Sequence, residues 1–566
     1  MKNYNKNYPP YEVEKFVSFR EMLRNAADAT GERLAFRYLR GGEVVDVTYR
    51  EFRDMTLALG EAMTERGWNG AHIAVVSENS FPFVLSFLTV LQSAGVFVPL
   101  DKELPPEDKC NVLADSDSTV VLFSEKYAGQ IEQMRDRLPG VRAWVAIDAP
   151  EDSADGKTLS FARLLECGYN LRAQGKNRFF SIDRPRDALA LLVYTSGTTG
   201  MAKGVMLSER NLCCAVYYGL QTSAVHGTLL SVLPYNHTYE AVALLASLHS
   251  HATICINDNL RHVLKNMVRF RPDDIYLVPA FAELFYKKIW ANARAEGKEE
   301  TLRRAIRTSN RLRRMGIDAR RTMFASVHAA FGGNLIKIIC GGAPIRPEIG
   351  QFFDDIGILL INGYGITECS PLVSANRDFF NDPATVGVPL LCCEIRIDDP
   401  DDEGNGEICV RGDVVMLGYY KHPELTAQVL EPDGWFHTGD LGRMNDKGQL
   451  LITGRKKNLI VLSNGKNIYP EEIEMRIAQI VYISEVVVYA QKDEHGNETA
   501  LCAAVYCQPD FSEGKSVEEL TACLKTDIAA ACDALPDYKR VARVVVRDHP
   551  FIKTTTNKIR RNCIDR

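Results

Sequence analysis

The 566-residue sequence contains no CxxC pair, no internal repeat, no low-complexity tract and no excess of positive charge. Lysine and arginine number 67 against 73 acidic residues, a net charge of −6, so no global positive field points to nucleic acid as a partner. Fifteen cysteines are present, but the count is odd, and the neighbours Cys213-Cys214 and Cys392-Cys393 are too close for ordinary disulfide geometry. Free thiols in a reducing cytoplasm are expected. His249 and His251 make at most half a metal site, with no Cys or Asp beside them to complete it. The N-terminal stretch MKNYNKNYPPYEVEKF lacks the apolar core of a secretory signal. The most hydrophobic run, FPFVLSFLTVLQSAGVFVPLD (81–101), is interrupted by Gln92, two serines and two prolines. A buried helix followed by a buried strand is expected there rather than a membrane span.

What is present describes a soluble globular chain. Hydrophobic residues make up 46% and charged residues 25%, and the length implies roughly three to four structural units. From Tyr49 to about Arg377, helical patterns alternate with short apolar strands such as HIAVVS (72–77) and ALALLVYTS (188–196), which predicts an α/β body with largely parallel sheets. The segment 301–321 carries eight arginines and reads either as a solvated helical face or as a basic surface near an anionic cofactor or lipid. Between about 383 and 452 the texture changes to short alternating strands with Asp/Gly turns, which predicts a small β unit. Beyond Gly454 it changes again. Pro470 at a first helical position and a Ser516/Glu519 capping box mark helices of a separate small α+β domain, joined around GRKKN.

The segment YTSGTTGMAKG (194–204) gathers three glycines, four hydroxyl side chains and Lys203. A Walker A loop needs GxxxxGK[ST] with its lysine opening a helix. Here Lys203 lies three residues after Gly200 and is followed by Gly204 and the strand-like VML, with the next helix expected only after Ser208. Spacing and context both exclude a P-loop. What remains is a flexible, donor-rich loop after a buried strand, suited to wrapping a highly charged anion.

That loop resembles the signature of the adenylate-forming superfamily, with Ala202 where proline is common. Further segments resemble the family's motifs in order: VLQSAGVFVPLD (90–101), SVLPYNHTYE (231–240), ICGGAPI (339–345), INGYGITECS (361–370), GWFHTGDLG (434–442), ITGRKKNLIVLSNGKNIYPEEIE (452–474) and KTTTNKIRR (553–561). The wording is most similar to bacterial long-chain fatty acid–CoA ligases. The resemblance covers roughly Tyr49 to Arg561.

The resemblance implies an α/β fold: a large N-terminal domain (1–455) of two α/β subdomains plus a small β-barrel-like unit, then a small mobile α+β lid (456–566) hinged near Lys457. It also implies roles for residues. Thr195, Ser196, Gly197, Thr198, Thr199, Gly200 and Lys203 would hold the β- and γ-phosphates of ATP. Gly341, Gly342, Ala343 and Pro344 would form the adenine turn. Asn362, Gly363, Tyr364 and Gly365 would receive the base, Asn362 bonding its amino edge and Tyr364 stacking on it. Thr367 would touch the α-phosphate, Glu368 would hold Mg²⁺, and Asp440 and Arg455 would hold the ribose. His237 would lie at the acyl entrance and Lys558 would bridge carboxylate and α-phosphate. Rotation about Lys457 would replace the Lys558 face with a thiolation face carrying Gly465. Asn557 stands before Lys558 where the family has glycine; asparagine tolerates a left-handed backbone best among the other residues. The implied reaction joins a carboxylic acid, most simply a medium- or long-chain fatty acid, to CoA by way of an acyl-adenylate. An aryl or bile acid, an acyl carrier protein as acceptor, and peripheral membrane contact stay open at this level.

Overall fold

The computed structural model describes residues 6–196, 202–461, 467–492, 498–553 and 559–561. The chain divides into two compact units. The first comprises Met1–Ile395, Val410–Phe436 and Gly448–Leu450; the second comprises Arg396–Cys409, His437–Lys447 and Leu451–Arg566.

The first unit is built on two large mixed sheets, of eight and nine strands. At the centre of the eight-stranded sheet lie His72–Val76, Val96–Pro99, Val120–Phe123 and Ala143–Ala146, paired in parallel. Nearly every residue in them is buried, as parallel strands covered on both faces require. The apolar run 81–101 contributes the helix Phe81–Leu91, capped by Ser80, and the strand Val96–Pro99. The sheet then continues into an antiparallel pair, β1 (Leu189–Ser196) and β2 (Ala202–Ser208). The two-residue strand Gly418–Tyr419 pairs onto Val205 and Met206 and so occupies the sheet edge.

In the nine-stranded sheet, β3 (Asp274–Leu277), β4 (Lys337–Cys340) and β5 (Leu359–Gly365) run parallel to one another. At one edge Glu43–Thr48 is antiparallel to its neighbour, and at the other Leu372–Ala375 and the edge strand Val388–Pro389 are added antiparallel in turn.

Helices cover these sheets in pairs. Helix α1 (Tyr49–Glu65) starts from a Thr48/Glu51 capping box and packs on α2 (Phe161–Ala173). This contact is tight: a Cβ on Gly168 would fall 1.9 Å from the Ala58 carbonyl oxygen. A Cβ on Gly60 would fall 2.4 Å from the ring of Phe179, in the turn Phe179–Ser181 that follows α2. Helix α3 (Glu209–Thr222) begins at Ser208, whose hydroxyl accepts from the Asn211 amide while the Asn211 side chain accepts from the Ser208 amide. It packs against α4 (Thr238–His249) over the nine-stranded sheet. The arginine-rich segment forms α5 (Glu299–Arg314), on which Arg303, Arg307 and Arg313 pair with Glu299, Glu300 and Asp354 at 2.6–2.8 Å. Much of its charge is therefore neutralised within a solvated face.

The second unit holds most of a four-stranded sheet (Cys393–Asp398, Gly406–Gly412, Phe436–Met444, Leu450–Arg455) and a three-stranded sheet (Ile483–Lys492, Glu498–Cys507, Val541–Arg547). Helices α6 (Pro470–Ile477) and α7 (Val517–Ala531) close a core with Ile473, Ile477, Leu524 and Ile528 against Val486, Val488, Ala503 and Val505. No disulfide links the described cysteines, and among the described residues no helix is long and apolar enough to cross a membrane.

Candidate functional site

In the first unit the candidate residues converge on the C-terminal ends of β4 and β5, where open α/β sheets place ligands. β4 runs into the turn Gly341–Pro344. Gly342 has φ +87, and a Cβ on Gly341 would lie 3.4 Å from the Gly363 carbonyl oxygen and 3.5 Å from the Tyr239 ring. The turn is left exposed at Gly342, Ala343 and Pro344, so backbone is presented without side chains in the way. On β5, Asn362 is buried; its amide nitrogen donates to the Thr385 carbonyl at 3.3 Å, while its Oδ1 has no partner. An unpartnered buried acceptor costs stability unless something donates to it. The amino edge of an adenine supplies such a donor, so these residues fit a bound adenylate.

After β5 the chain turns through Thr367–Cys369, bringing Glu368 under Tyr419. The Tyr419 hydroxyl donates to Glu368 Oε1 at 2.9 Å, and the Glu368 carbonyl accepts from the Met416 amide at 2.8 Å. Burial first, and then the Glu368 carboxylate, push the Tyr419 phenol well above its ordinary range. Lys203 places its ammonium 5.0 Å from the centre of the same tyrosine ring. Tyr419 therefore joins the lysine of β2 to the carboxylate expected to hold Mg²⁺. A carboxylate oxygen is the kind of ligand Mg²⁺ takes. Tyr419 lies outside the ordered motifs, and its signal in the sequence is the Gly-Tyr-Tyr run at 418–420; Gly418 has φ +137. Thr195 and Ser196 pair with Lys203 and Ala202 across the hairpin, whereas Gly197, Thr198, Thr199 and Gly200 lie outside the described residues.

Beside this end of the sheet is an open-mouthed apolar cavity of about 880 Å³, counting the space at its mouth. Gly341, Gly342, Tyr364 and Gly365 line one end; Ala215, Val216 and Gly219 of α3 face Val242, Ala243 and Ala246 of α4 along it. Tyr239 lines it and donates to the Ile339 carbonyl at 3.1 Å. His237 sits half-buried at the N-cap of α4. Behind it, Glu240 is buried and accepts from the Ser231 hydroxyl, and burial pushes its carboxyl up to about 8. It is held as a neutral acid at pH 7.

The second unit carries the other candidates. Asp440 is buried, and Arg455 Nε lies 2.6 Å from its Oδ1, so the two are brought together as an ion pair. Lys457 lies in the single turn Lys456–Asn458 that follows the strand ending at Arg455. Asp398, Cys409 and His437 place ligand atoms within 4.8 Å of one another. The Arg396 guanidinium also faces Cys409, and the Lys456 ammonium holds Glu407 at 2.6 Å beside His437, so the cluster already contains cations and is a poor host for a metal ion. Gly465 and Lys558 lie outside the described residues.

Residues 23–420 match the family model for AMP-binding enzymes, and residues 457–566 match that for the AMP-binding enzyme C-terminal domain. The chain belongs to the AMP-binding enzyme family. The chain is 30% identical to the Mycobacterium bovis long-chain-fatty-acid–CoA ligase FadD15 over 504 residues, covering 85% of this chain and 81% of that protein. It is 26% identical to a long-chain-fatty-acid–CoA ligase of Escherichia coli O157:H7, covering 95% and 96%. Among solved structures, an ATP-bound RpMatB-BxBclM chimera superposes with a TM-score of 0.75 at 24% identity, covering 96% of this chain and 97% of the chimera. The anthranilate–CoA ligase AuaEII with anthranoyl-AMP also reaches 0.75, at 18% identity and 98% and 96% coverage. The shared fold is the large N-terminal domain and small C-terminal domain of adenylate-forming enzymes, the α/β class that the motifs implied.

Proposed function

We propose that this AMP-forming acid–thiol ligase activates an aliphatic fatty acid with ATP to an acyl-adenylate, releases pyrophosphate, and transfers the acyl group to CoA with release of AMP. The observation that carries the choice of acid is the cavity: it adjoins the glycine turn of β4, and its walls are aliphatic and aromatic with few polar atoms. Such walls reward methylene groups and leave an acid rich in hydroxyls without partners.

A carboxylate is a poor electrophile because its leaving group would be an oxide, and adenylation supplies a better one. The anionic nucleophile must approach an anionic phosphate, and pyrophosphate must be stabilised as it departs; positioned cations and donors answer both needs. In our reading Asn362 and Tyr364 fix the base, Asp440 accepts from the ribose hydroxyls with Arg455 holding that carboxylate, and Lys203 with the 195–200 loop holds the departing phosphates. Thr367 contacts the α-phosphate, His237 guards the acyl entrance, and Lys558 bridges acid and α-phosphate. Mg²⁺ held at Glu368 supplies charge neutralisation when bound. Lys558 cannot stay between the incoming thiol and the carbonyl, so a hinge at Lys457 would exchange it for the Gly465 face.

The test is pyrophosphate release over a panel of fatty and aryl acids, with and without CoA. Pyrophosphate release that depends on a fatty acid, followed by CoA-dependent AMP release, is expected. Release of ADP and phosphate, or a preference for aryl acids, overturns the reading; acyl transfer only to a carrier protein overturns the choice of CoA. Lys558→Ala is expected to lose adenylation while keeping thioester formation from supplied acyl-adenylate. Equal loss of both halves in a folded variant counts against the two-conformation scheme.

A further inference from the structure

The apolar cavity ends against buried charge. Alternate residues of a strand face the same side of its sheet. Tyr276, Ile339 and Ile361 stand side by side across β3, β4 and β5 and line the cavity. Two residues further back on the same face, the row reads Asp274, Lys337 and Leu359. Lys337 is 1% exposed. Its ammonium donates to Asp378 Oδ1 at 2.7 Å, the Ser223 hydroxyl at 2.9 Å and the Ala224 carbonyl at 2.5 Å. Asp378 in turn accepts from the Ser223 hydroxyl at 2.8 Å, the Ala224 amide at 3.1 Å and the Tyr11 hydroxyl at 2.8 Å. Ser223 and Ala224 line the far end of the cavity, so the ion pair stands directly behind its lining. The N-terminal segment is pinned outside it: Arg377 donates to Asn7 Oδ1 at 2.7 Å and to the Pro9 carbonyl at 2.9 Å.

We propose that the Lys337–Asp378 pair, with Tyr11 pinned upon it, is the closed end of the acyl site and makes the enzyme a medium-chain ligase. The inference rests on the fatty-acid reading above. A methyl terminus that stops at the Tyr276–Ile339 row meets mostly apolar surface. One that continues to the next row must displace a buried ion pair whose hydrogen bonds are made within the protein, which is costly. Along α4, Tyr239 to Ala246 spans about 10 Å at about 1.5 Å per residue. An extended tetrahedral chain advances about 1.2 Å per bond, so the space accepts an acid of about ten carbons.

The test compares kcat/KM for pyrophosphate release across saturated acids of increasing length, in the wild type and two variants. The wild type is expected to peak near about ten carbons and to fall roughly tenfold or more at about sixteen, the discrimination that one or a few misfitted methylenes give. Lys337→Ala combined with Asp378→Ala is expected to move the peak to longer acids; both partners are removed so that neither is left as an unpaired buried charge. Ala246→Phe leaves the pair intact and fills the cavity, and is expected to move the peak to shorter acids. A wild-type peak at the longest acids, or an Ala246→Phe profile superimposable on the wild type, overturns the proposal even where the double variant does not fold. A double variant that folds and keeps the wild-type profile does the same. No turnover with any fatty acid overturns instead the reading on which it rests.

Discussion

Two helix pairs of the first unit use the same small residues to opposite ends. Between α1 and α2, Gly168 lets the helices approach so closely that any Cβ would collide with the Ala58 carbonyl, and on α1 Gly60 leaves room for the Phe179 ring of the turn that follows α2. Between α3 and α4, Ala215, Gly219, Ala243 and Ala246 face a space that protein does not fill. At Gly219 the nearest obstacle to a Cβ is the Leu372 side chain at 3.3 Å. The difference lies in what faces the small residue. Where a carbonyl faces it, the glycine closes the core; where another small residue faces it, the pair holds open a site.

Four substitutions test that contrast. Gly168→Val drives a branched side chain into backbone that cannot yield, and a loss of about 3 kcal/mol or more is expected, read by chemical denaturation or as failure to yield folded protein. A stable Gly168→Val protein would break the comparison. Ala243→Phe fills the open pair instead. It is expected to abolish fatty-acid-dependent pyrophosphate release while the melting temperature changes little, the reverse of the first result.

Glu240→Gln sharpens the comparison through pH. The Glu240 carboxyl is raised from 4.5 to about 8 by burial, so the folded chain keeps a proton across that window that the unfolded chain releases. The stability this group contributes is complete below 4.5 and is lost as pH rises through about 8. Glu474 in the second unit is held up to about 7, also by burial, and slopes the same way in both proteins. The readout is therefore the difference: the melting temperature of Glu240→Gln should fall less steeply than that of the wild type across this range. Parallel curves would show that the carboxyl ionises freely.

The smallest effect is expected for Gly219→Ala. A helix gains about 0.5–1 kcal/mol from this exchange, and only the flexible end of Leu372 must move. Near-neutral stability and a slight shift towards shorter acids are expected. A loss comparable to that of Gly168→Val would mean that the two pairs are packed alike.

The same contrast explains what could be read from the sequence. The Ser516/Glu519 capping box, Pro470 opening α6 and the helix after Ser208 were legible because each depends on residues within a few positions of one another. The parallel strands were legible as continuous apolar runs. The ordered motifs single out Asn362, Tyr364, Glu368, Asp440 and Arg455 as candidates. Neither the cavity nor its closed end could be read, because glycine looks the same in a sequence whether it faces a carbonyl or a void. Lys337 and Asp378 are 41 positions apart, and Tyr11 reaches Asp378 across 367. No local pattern announces such a pairing. Tyr419 escaped for the same reason, being 51 positions from the carboxylate it serves.

The short strand Gly418–Tyr419 does a second task. It lies along the outer side of β2 and occupies hydrogen-bonding groups that would otherwise form an open sheet edge, a template for pairing with another chain. The segment that brings a phenol to Glu368 therefore also shields the hairpin from self-association. A change that dislodges it would disarm the site and expose an adhesive edge together, so loss of activity and onset of aggregation should appear as one event.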